Sequence, residues 1–387
     1  MKTHKPPGKV AYRAIHSSTK SPFKPGMRYI SNCLKGALAE IPHLLRDSFD
    51  LVDRLNQRTF PPRDCVLVKA DIKDFFMSGL HDEIKSSCAK HISADSRASF
   101  ADMAEFILSS QYVALPDEAR AWQVVRGSGM GLSCSGDLSN IAFWELAERS
   151  SVELPEIRTK HMIWAYFRYM DDILVLADKR GTWRQFIEAL SARAGFFQVV
   201  LESWSEESVQ MLDVQISLGS RYRACKKLDL VMRPKDTSIA VPLFPTSFHA
   251  AGVHSSWPKA MVRRIDLLSN NRLAARKVRN IYMSKWIPAG INVDSASDPA
   301  SRILKQRSIR LVLPYHPVWA KAGFAKVLRR AERAWSEIVH DLQIPKSVGI
   351  AWALGGTHLV NHFKSWLGVL NGNPTRICIH SVIRGVS

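Results

Sequence analysis

The order of apolar and polar positions predicts several β-strands in the first two thirds of the chain. Residues 65–76, CVLVKADIKDFF, begin with the alternating pair Val66 and Val68, which indicates a strand ending in an Asp-rich turn. Residues 162–179, MIWAYFRYMDDILVLADK, hold two apolar and aromatic runs around a Met-Asp-Asp centre. That pattern is typical of a β-hairpin with the aspartates at or beside its turn. Further strands are predicted for residues 196–204 and 209–221.

Other segments have the spacing of amphipathic helices. Residues 35–56 and residues 79–92 each predict a helix, and residues 126–150 predict a Gly/Ser loop that runs into a helix. From about Pro258 the pattern changes to basic helices. One of them is predicted over residues 272–286 and a second over residues 325–343.

The first basic helix is predicted to have two distinct faces. One face holds the apolar set with a terminal lysine: Ala274, Val278, Ile281 and Lys285. The other face holds Arg272, Arg276 and Arg279. An arginine-bearing face of this kind suits a polyanion, although a solvated helix surface has the same pattern.

The charge of the chain is strongly positive and unevenly distributed. Lys and Arg number 54 against 35 Asp and Glu, a formal net charge of +19, and from residue 251 onward they outnumber the acids by 21 to 6. Such an asymmetry indicates a polyanionic partner met mainly by the C-terminal third, although a solvated basic surface has the same charge balance. The chain is 46% hydrophobic and 23% charged, so a globular fold is expected rather than disorder.

The same sequence favours an intracellular protein that does not enter a membrane. Six cysteines without a CxxC pair predict reduced thiols. The first residues lack the apolar core of a signal peptide. Residues 349–363 form the longest weakly charged stretch, and they are too few and too polar to span a bilayer.

Three aspartates carry the candidate chemistry. Asp171 and Asp172 lie in the predicted hairpin, and Asp71 ends the strand predicted before it. Aspartate is also a common turn residue, so most Asp-Asp pairs in hairpins are structural. If both strands share a sheet, however, the carboxylates of Asp71 and Asp171 converge and repel unless cations lie between them. Two Mg²⁺ ions roughly 4 Å apart would then suit nucleotidyl transfer.

Three segments in order resemble palm motifs A, B and C of reverse transcriptases: VKADIKDFF, GSGMGLSCSGDLSN and FRYMDDILVLAD. Flanking segments narrow the resemblance to Penelope-like element reverse transcriptases. These are KTHKPPGKVAYRAI near the N-terminus, then MLDVQIS, VHSSWPKAMVRRIDLLS and LVLPYHP. The resemblance runs from about Lys2 to about Phe363, nearly the whole chain.

The resemblance implies an α+β right-hand polymerase with fingers, an antiparallel-sheet palm and a helical thumb. Residues 1–62 would belong to the fingers and residues 63–245 to the palm, with a fingers insertion around 92–120. Residues 246–345 would form the basic thumb, and residues 346–387 a C-terminal tail.

The resemblance also implies roles for single residues. Asp71, Asp171 and Asp172 would be catalytic, and metal binding would fall to Asp71, Asp171 and the carbonyl of Ile72. Phe76, five residues after Asp71, would be an aromatic gate against the ribose 2′-hydroxyl, although a phenylalanine after a strand is more commonly part of a core. The other residues implied to contact or position the nucleotide are Lys5, Arg13, Gln123, Gly131 and Ser135.

The implied partners are an RNA template, a DNA primer and dNTPs, with two Mg²⁺ ions as cofactors and Mn²⁺ as a substitute. A nuclear location follows from the same resemblance. A polymerase slides along its duplex, so its thumb should contact phosphates rather than base edges. The candidate residues for these contacts are Arg263, Arg264, Arg272, Arg276 and Arg279.

The sequence departs from the family pattern in several places. The usual Arg-Pro-Ile triplet is Arg13-Ala14-Ile15, and Met130 precedes Gly131 where many relatives outside the group have Gln. No lysine stands out as a general acid toward pyrophosphate, and neither an N-terminal extension nor a GIY-YIG nuclease pattern is recognisable. These departures favour one of three origins: a truncated gene model, an element without an endonuclease, or a decayed copy of an element. Two alternatives stay open: an RNA-templated RNA polymerase, and an inactive nucleic-acid-binding remnant.

Overall fold

A computed structural model describes residues 21–114, 121–233, 251–289, 309–314 and 348–353, with residues 243, 247, 249 and 291 between these ranges. Lys5, Arg13 and the helix predicted over residues 325–343 lie outside the described residues, so those predictions stay predictions.

The chain divides into two compact units. One comprises Met1–Val241 with Arg264–Ser284, and the other Pro242–Arg263 with Lys285–Ser387. The domain boundaries that the resemblance implies stay predictions.

The described helices, in chain order, are α1 (Lys24–Glu40), α2 (Ser48–Gln57), α3 (His81–Ala89), α4 (Ala94–Ser109), α5 (Ser135–Phe143) continued by a π-helical turn (Trp144–Glu148), α6 (Pro155–Lys160), α7 (Trp183–Arg193), α8 (Ser220–Cys225), α9 (Ala251–Leu267) and α10 (Arg272–Trp286), followed by a 3-10 turn (Ile287–Ala289). The described strands are β1 (Cys65–Lys73), β2 (Tyr112–Ala114), β3 (Ala121–Gln123), β4 (Ile163–Tyr169), β5 (Asp172–Asp178), β6 (Gln198–Ser205), β7 (Ser208–Met211), β8 (Val214–Ser217), β9 (Asp229–Met232), β10 (Ile309–Pro314) and β11 (Val348–Ala353).

A four-stranded sheet in the order β4-β5-β1-β6 lies at the centre of the first unit, and every neighbouring pair in it is antiparallel. The predicted strand at residues 65–76 is β1, and the predicted hairpin is β4 and β5. Further described pairings are an antiparallel β2-β3 hairpin, an antiparallel sheet β7-β8-β9 and a parallel β10-β11 pair in the second unit. The predicted mixture of helices with an antiparallel sheet is confirmed for the described residues.

Alternation along β1 and β5 divides the central sheet into two faces. The even-numbered side chains of β1, from Val66 to Ile72, join the odd-numbered side chains of β5, from Ile173 to Ala177, in one large apolar core. Helix residues such as Phe100, Phe143 and Phe186 complete that core. The opposite face carries buried leucines along the middle of the strands, the paired Asp71 and Asp172 at one end and Asp178 at the other. The apolar core therefore fixes which side chains of β1 and β5 lie on the carboxylate-bearing face.

The single helix predicted over residues 35–56 is wrong, because the structure has two helices there. Helix α1 ends at Glu40 and Ile41 is extended with ψ of 103°. Proline disfavours the helical conformation of the residue before it, so Pro42 explains this break. Helix α2 then starts afresh, with the carboxylate of Asp47 accepting a hydrogen bond from the Asp50 N–H at 2.9 Å.

The predicted helix at residues 272–286 is present as α10, but its predicted apolar face is wrong by about one position. Ala275, Tyr282 and Trp286 are buried, whereas Ile281 and Lys285 are exposed. Large aromatic side chains bury more surface than a single isoleucine, so Tyr282 rather than Ile281 takes the buried position. The preceding helix α9 also starts at Ala251, well before Pro258. No helix among the described residues has both the length and the hydropathy needed to cross a lipid bilayer.

Two leucine substitutions test the importance of the central sheet. Leu176 in β5 is fully buried, whereas Leu273 in α10 is 76% exposed. We expect Leu176→Ala to lower the free energy of unfolding by about 2–5 kcal/mol, because it removes apolar contacts and leaves a cavity. Leu273→Ala should change it by less than about 0.5 kcal/mol. Urea denaturation measures both, and equal losses would contradict the burial of Leu176 in the central sheet.

Candidate active site

Pairing of β1 with β5 brings two of the three predicted aspartates together. Asp71 lies directly opposite Asp172 in the register of the two strands. Asp171 belongs to the two-residue turn between β4 and β5, and its carbonyl accepts a hydrogen bond from the N–H of Ile72 at 2.9 Å. The three aspartates are therefore gathered where the hairpin turn meets the end of β1.

The electrostatics of Asp71 reflect this crowding. Burial raises the pKa of Asp71, and the negative charges of Asp171, Asp172 and Glu202 raise it further, against a smaller opposing effect of Lys69. A carboxyl whose pKa is raised by neighbouring carboxylates lies in a site that favours added cations.

Lys69 is a neighbour of the aspartates that sequence reasoning did not identify. Its ammonium nitrogen lies 3.5 Å from Asp172 Oδ1 and 2.8 Å from Glu202 Oε2. Burial disfavours its charge, but Glu202 and Asp172 outweigh burial and raise the pKa of Lys69. Alternation in β1 was an available signal, because it places Lys69 and Asp71 on the same face. The lysine supplies positive charge beside the carboxylates.

The donor set fits Mg²⁺ in chemistry. No group of three or more His, Cys, Asp or Glu side chains in the described ranges is gathered closely enough to enclose a metal ion. Mg²⁺ is commonly bound by one or two carboxylates together with waters and substrate phosphates, rather than by an all-protein cage. Asp71 and Asp171 supply two hard oxygen donors of that kind, and the role of the Ile72 carbonyl stays a prediction.

The predicted Gly/Ser loop is held against the segment that follows β1. Gly127 and Gly129 have φ of 84° and 83°, and their N–H groups donate to the carbonyls of Gly79 at 2.8 Å and Phe76 at 3.1 Å. A Cβ atom at Gly127 would lie 2.5 Å from the Phe76 oxygen. Only glycine permits both this conformation and this approach. The loop and the end of β1 therefore form one continuous surface.

The residues predicted to position the nucleotide have different surroundings. Phe76 is half-buried and packs edge-on against Phe75, with ring centroids 5.3 Å apart. Gly131 is exposed, with φ of 103°. Ser135 is buried, and its hydroxyl donates to the Ser128 carbonyl at 2.9 Å and to that of Gly129. It therefore holds the loop together from inside.

Gln123 lies on the exposed strand β3 and not in the Gly/Ser loop. Its side-chain amide donates to the Ser109 carbonyl at the end of α4, at 2.8 Å. That bond ties the β2-β3 hairpin to α4. Contact of Gln123 with template or nucleotide stays a prediction.

The five predicted duplex-binding arginines fall into two groups. Arg264 binds Asp213 with Nη2···Oδ2 of 2.6 Å and lies over the Phe49 ring, and Arg279 is paired with Asp266. These two side chains have structural partners within the first unit. The three with exposed side chains are Arg263, Arg272 and Arg276. Phosphate binding by all five stays a prediction.

Comparison with known proteins gives partial structural likenesses only. No protein-family model matches the sequence, and no curated protein is similar to it. The chain is similar in structure to telomerase from Candida albicans in complex with a fragment of telomeric RNA, with a TM-score of 0.48 and 11% identity over 70% of this chain and 48% of that one. Apo telomerase from Candida tropicalis gives 0.44 and 13% over 70% and 49%.

A further structural likeness is to a chain from an RNA polymerase complex inside a double-stranded RNA virus, with a TM-score of 0.42 and 10% identity over 70% of this chain and 25% of that one. The chain spans about half the length of the telomerase chains. All three TM-scores lie below 0.5.

The raised pKa of Asp71 gives a test of the site without substrate. A carboxyl group whose pKa is raised by folding does not destabilise the fold at pH values below its unfolded-state pKa. Its destabilising effect develops as pH rises through the folded-state pKa and is complete above it. We therefore expect Asp71→Asn to raise the melting temperature at pH 7.5 without divalent ions, by about 2 °C. The gain should vanish near pH 3.5.

Asp178→Asn is the matched control for this measurement, because Asp178 lies at the other end of β5. Burial opposes its charge, but hydrogen bonds from Arg180 outweigh burial and lower the pKa of Asp178. That variant should lose stability at pH 7.5. A loss of stability in Asp71→Asn as well would contradict the assigned repulsion.

Proposed function

We propose that the chain is an RNA-directed DNA polymerase that extends a primer 3′-hydroxyl with dNTPs. The observation that carries the proposal is the alignment of Asp71 with Asp172 across β1 and β5, with Asp171 in the adjoining turn. A cluster of carboxylates on the ends of rigid strands is costly without cations. Phosphoryl transfer with bound divalent ions is a reaction that uses such a cluster.

In this reaction the primer 3′-oxygen forms a bond to the α-phosphorus of the dNTP, the bond from that phosphorus to the leaving oxygen breaks, and the hydroxyl proton is lost as pyrophosphate departs. Asp71 and Asp171 would hold two Mg²⁺ ions, or Mn²⁺ in their place, and these ions would polarise the attacking and leaving oxygens. Asp172 supplies further negative charge, and its ion pair with Lys69 keeps it oriented along the edge of the cluster.

The Gly/Ser loop would form the floor for the incoming nucleotide. Two of its glycines donate hydrogen bonds to the Phe76 and Gly79 carbonyls, which ties the loop to the segment that follows the strand carrying Asp71. The half-buried Phe76 ring packs edge-on against Phe75. A ring beside the sugar would clash with a 2′-hydroxyl, which favours dNTPs over rNTPs.

The remaining parts of the proposal concern partners and origin. Exposed Arg263, Arg272 and Arg276 would bind the phosphates of an RNA template paired with a DNA primer, in line with the basic C-terminal third. The flanking segments favour a Penelope-like retroelement as the source, and action on DNA in the nucleus would follow.

Primer extension on poly(rA)/oligo(dT) with dTTP and Mg²⁺ tests the polymerase activity. We expect the chain to extend the primer and Asp171→Asn to lower the rate by about a thousandfold. Loss of a metal ligand removes several kcal/mol of transition-state stabilisation, at about 1.36 kcal/mol per tenfold.

Asp53→Asn is the control for that measurement, since Asp53 is an exposed residue of α2 and the change in charge is the same. It should leave the rate within about twofold. Extension that survives unchanged in Asp171→Asn would overturn the proposed role of the hairpin. Faster use of rNTPs than dNTPs would favour an RNA-templated RNA polymerase.

Substitution of Phe76 tests the sugar preference separately. We expect Phe76→Ala to raise the relative efficiency of UTP over dUTP by at most about a hundredfold, because steric exclusion of one hydroxyl is worth no more than that. Steady-state kcat/KM values for the two nucleotides measure the ratio. Phe106→Ala, an exposed phenylalanine of α4, should leave it unchanged, and an unchanged ratio in Phe76→Ala would remove the gate from the proposal.

A further inference from the structure

Arg168 is a charged residue inside the apolar run of β4, and none of its side chain is exposed. It stands two positions before Met170, the first residue of the turn that carries Asp171. A buried guanidinium is costly unless its N–H groups find acceptors. Its contacts therefore indicate what the structure gains from it.

The main partner of Arg168 is the equally buried carboxylate of Glu148, at the end of the π-helical turn. Nε donates to Oε1 at 2.7 Å and Nη2 to Oε2 at 2.8 Å, a two-pronged pair. The Tyr166 hydroxyl donates to the same Oε1 at 2.8 Å, and His43 Nε2 lies 3.0 Å from Oε2. Burial would raise the pKa of Glu148, but the charges of Arg168 and His43 outweigh it and hold the pKa well below its usual range.

The third nitrogen of Arg168 links this pair to the turn. Nη1 donates to the side-chain oxygen of Asn140 in α5 at 2.6 Å and to the Met170 carbonyl at 3.1 Å. The Asn140 amide nitrogen also lies 3.5 Å from the Met170 sulfur. Met170 has φ of 52°, a conformation that non-glycine residues rarely adopt without support. The guanidinium thus connects α5 with a strained turn.

Through these contacts Arg168 is linked both to the Gly/Ser loop and to the turn that carries Asp171. Helix α5 starts at Ser135, whose hydroxyl holds the Gly/Ser loop. Arg168 binds that helix on one side and the carbonyl directly before Asp171 on the other. A buried ion pair contributes little to stability compared with apolar residues of the same volume, so its value lies in a defined geometry.

We propose that Arg168 is a positioning residue for cation binding: it fixes the Met170 carbonyl relative to Glu148 and Asn140, and so sets where the Asp171 carboxylate stands. This inference rests on the proposed function, because it assumes that Asp171 binds a divalent ion. Residues that orient metal ligands from behind commonly alter metal affinity by 10- to 100-fold when replaced.

Mn²⁺ titration of the full chain without nucleotide tests the inference, with free Mn²⁺ followed by electron paramagnetic resonance. Arg168→Lys keeps a cation beside Glu148 but lacks the planar fork that reaches acceptors on three residues. We expect it to raise the Kd for Mn²⁺ about tenfold or more. Asn140→Leu removes one anchor of the guanidinium and should weaken binding in the same direction, which keeps the test decisive if Arg168→Lys does not fold.

Tyr166→Phe is the matched control, because it removes a hydrogen bond to the same Glu148 oxygen without touching the turn. It should leave the Kd within about twofold. The positioning role would be overturned if folded Arg168→Lys kept the wild-type affinity for Mn²⁺, or if Tyr166→Phe lost affinity equally. In either case, wild-type Mn²⁺ binding that depends on Asp171 would still support the proposed function. Wild-type binding that Asp171→Asn leaves unchanged would overturn both.

Discussion

The register between β1 and β5 is the constraint on which the site depends. It places Asp71 opposite Asp172, and a slip of one residue would turn Asp71 into the apolar core and bring Ile72 to the carboxylate face. The core side chains on the other face make such a slip costly, because four residues of β1 would lose their apolar surroundings. Packing on one face of the sheet thus determines which charged side chains meet on the other face.

The same arrangement works against the stability of the folded chain. Burial and neighbouring negative charges raise the pKa of Asp71, so ionisation at neutral pH disfavours the fold without cations. Two features limit this cost: the apolar core beneath the sheet and the ammonium of Lys69 beside Asp172. Local strain of this kind persists in a fold only where the surrounding structure compensates for it.

Local patterns predicted several features from the sequence. The hairpin, the strand before it and the positions of the aspartates follow from alternation and turn residues over short spans, and the structure has all three. The helix predicted over residues 35–56 failed although a local signal was present, because apolar spacing was given more weight than Pro42. The prediction of the buried face of α10 was wrong for another reason. Ile281 and Tyr282 both fit a helical stripe, and only packing in the folded chain selects between them.

The sequence by itself determined which residues could carry the chemistry: Asp71 at the end of a strand, and Asp171 and Asp172 at a turn. Tertiary structure alone decided what surrounds them. Lys69 meets Glu202 across β1 and β6, the glycine loop rests on the Phe76 carbonyl, and Arg168 joins Glu148 and Asn140 to the turn. These partners are far apart along the chain, and local periodicity records neither strand order nor register. Both depend on the summed packing of the whole core.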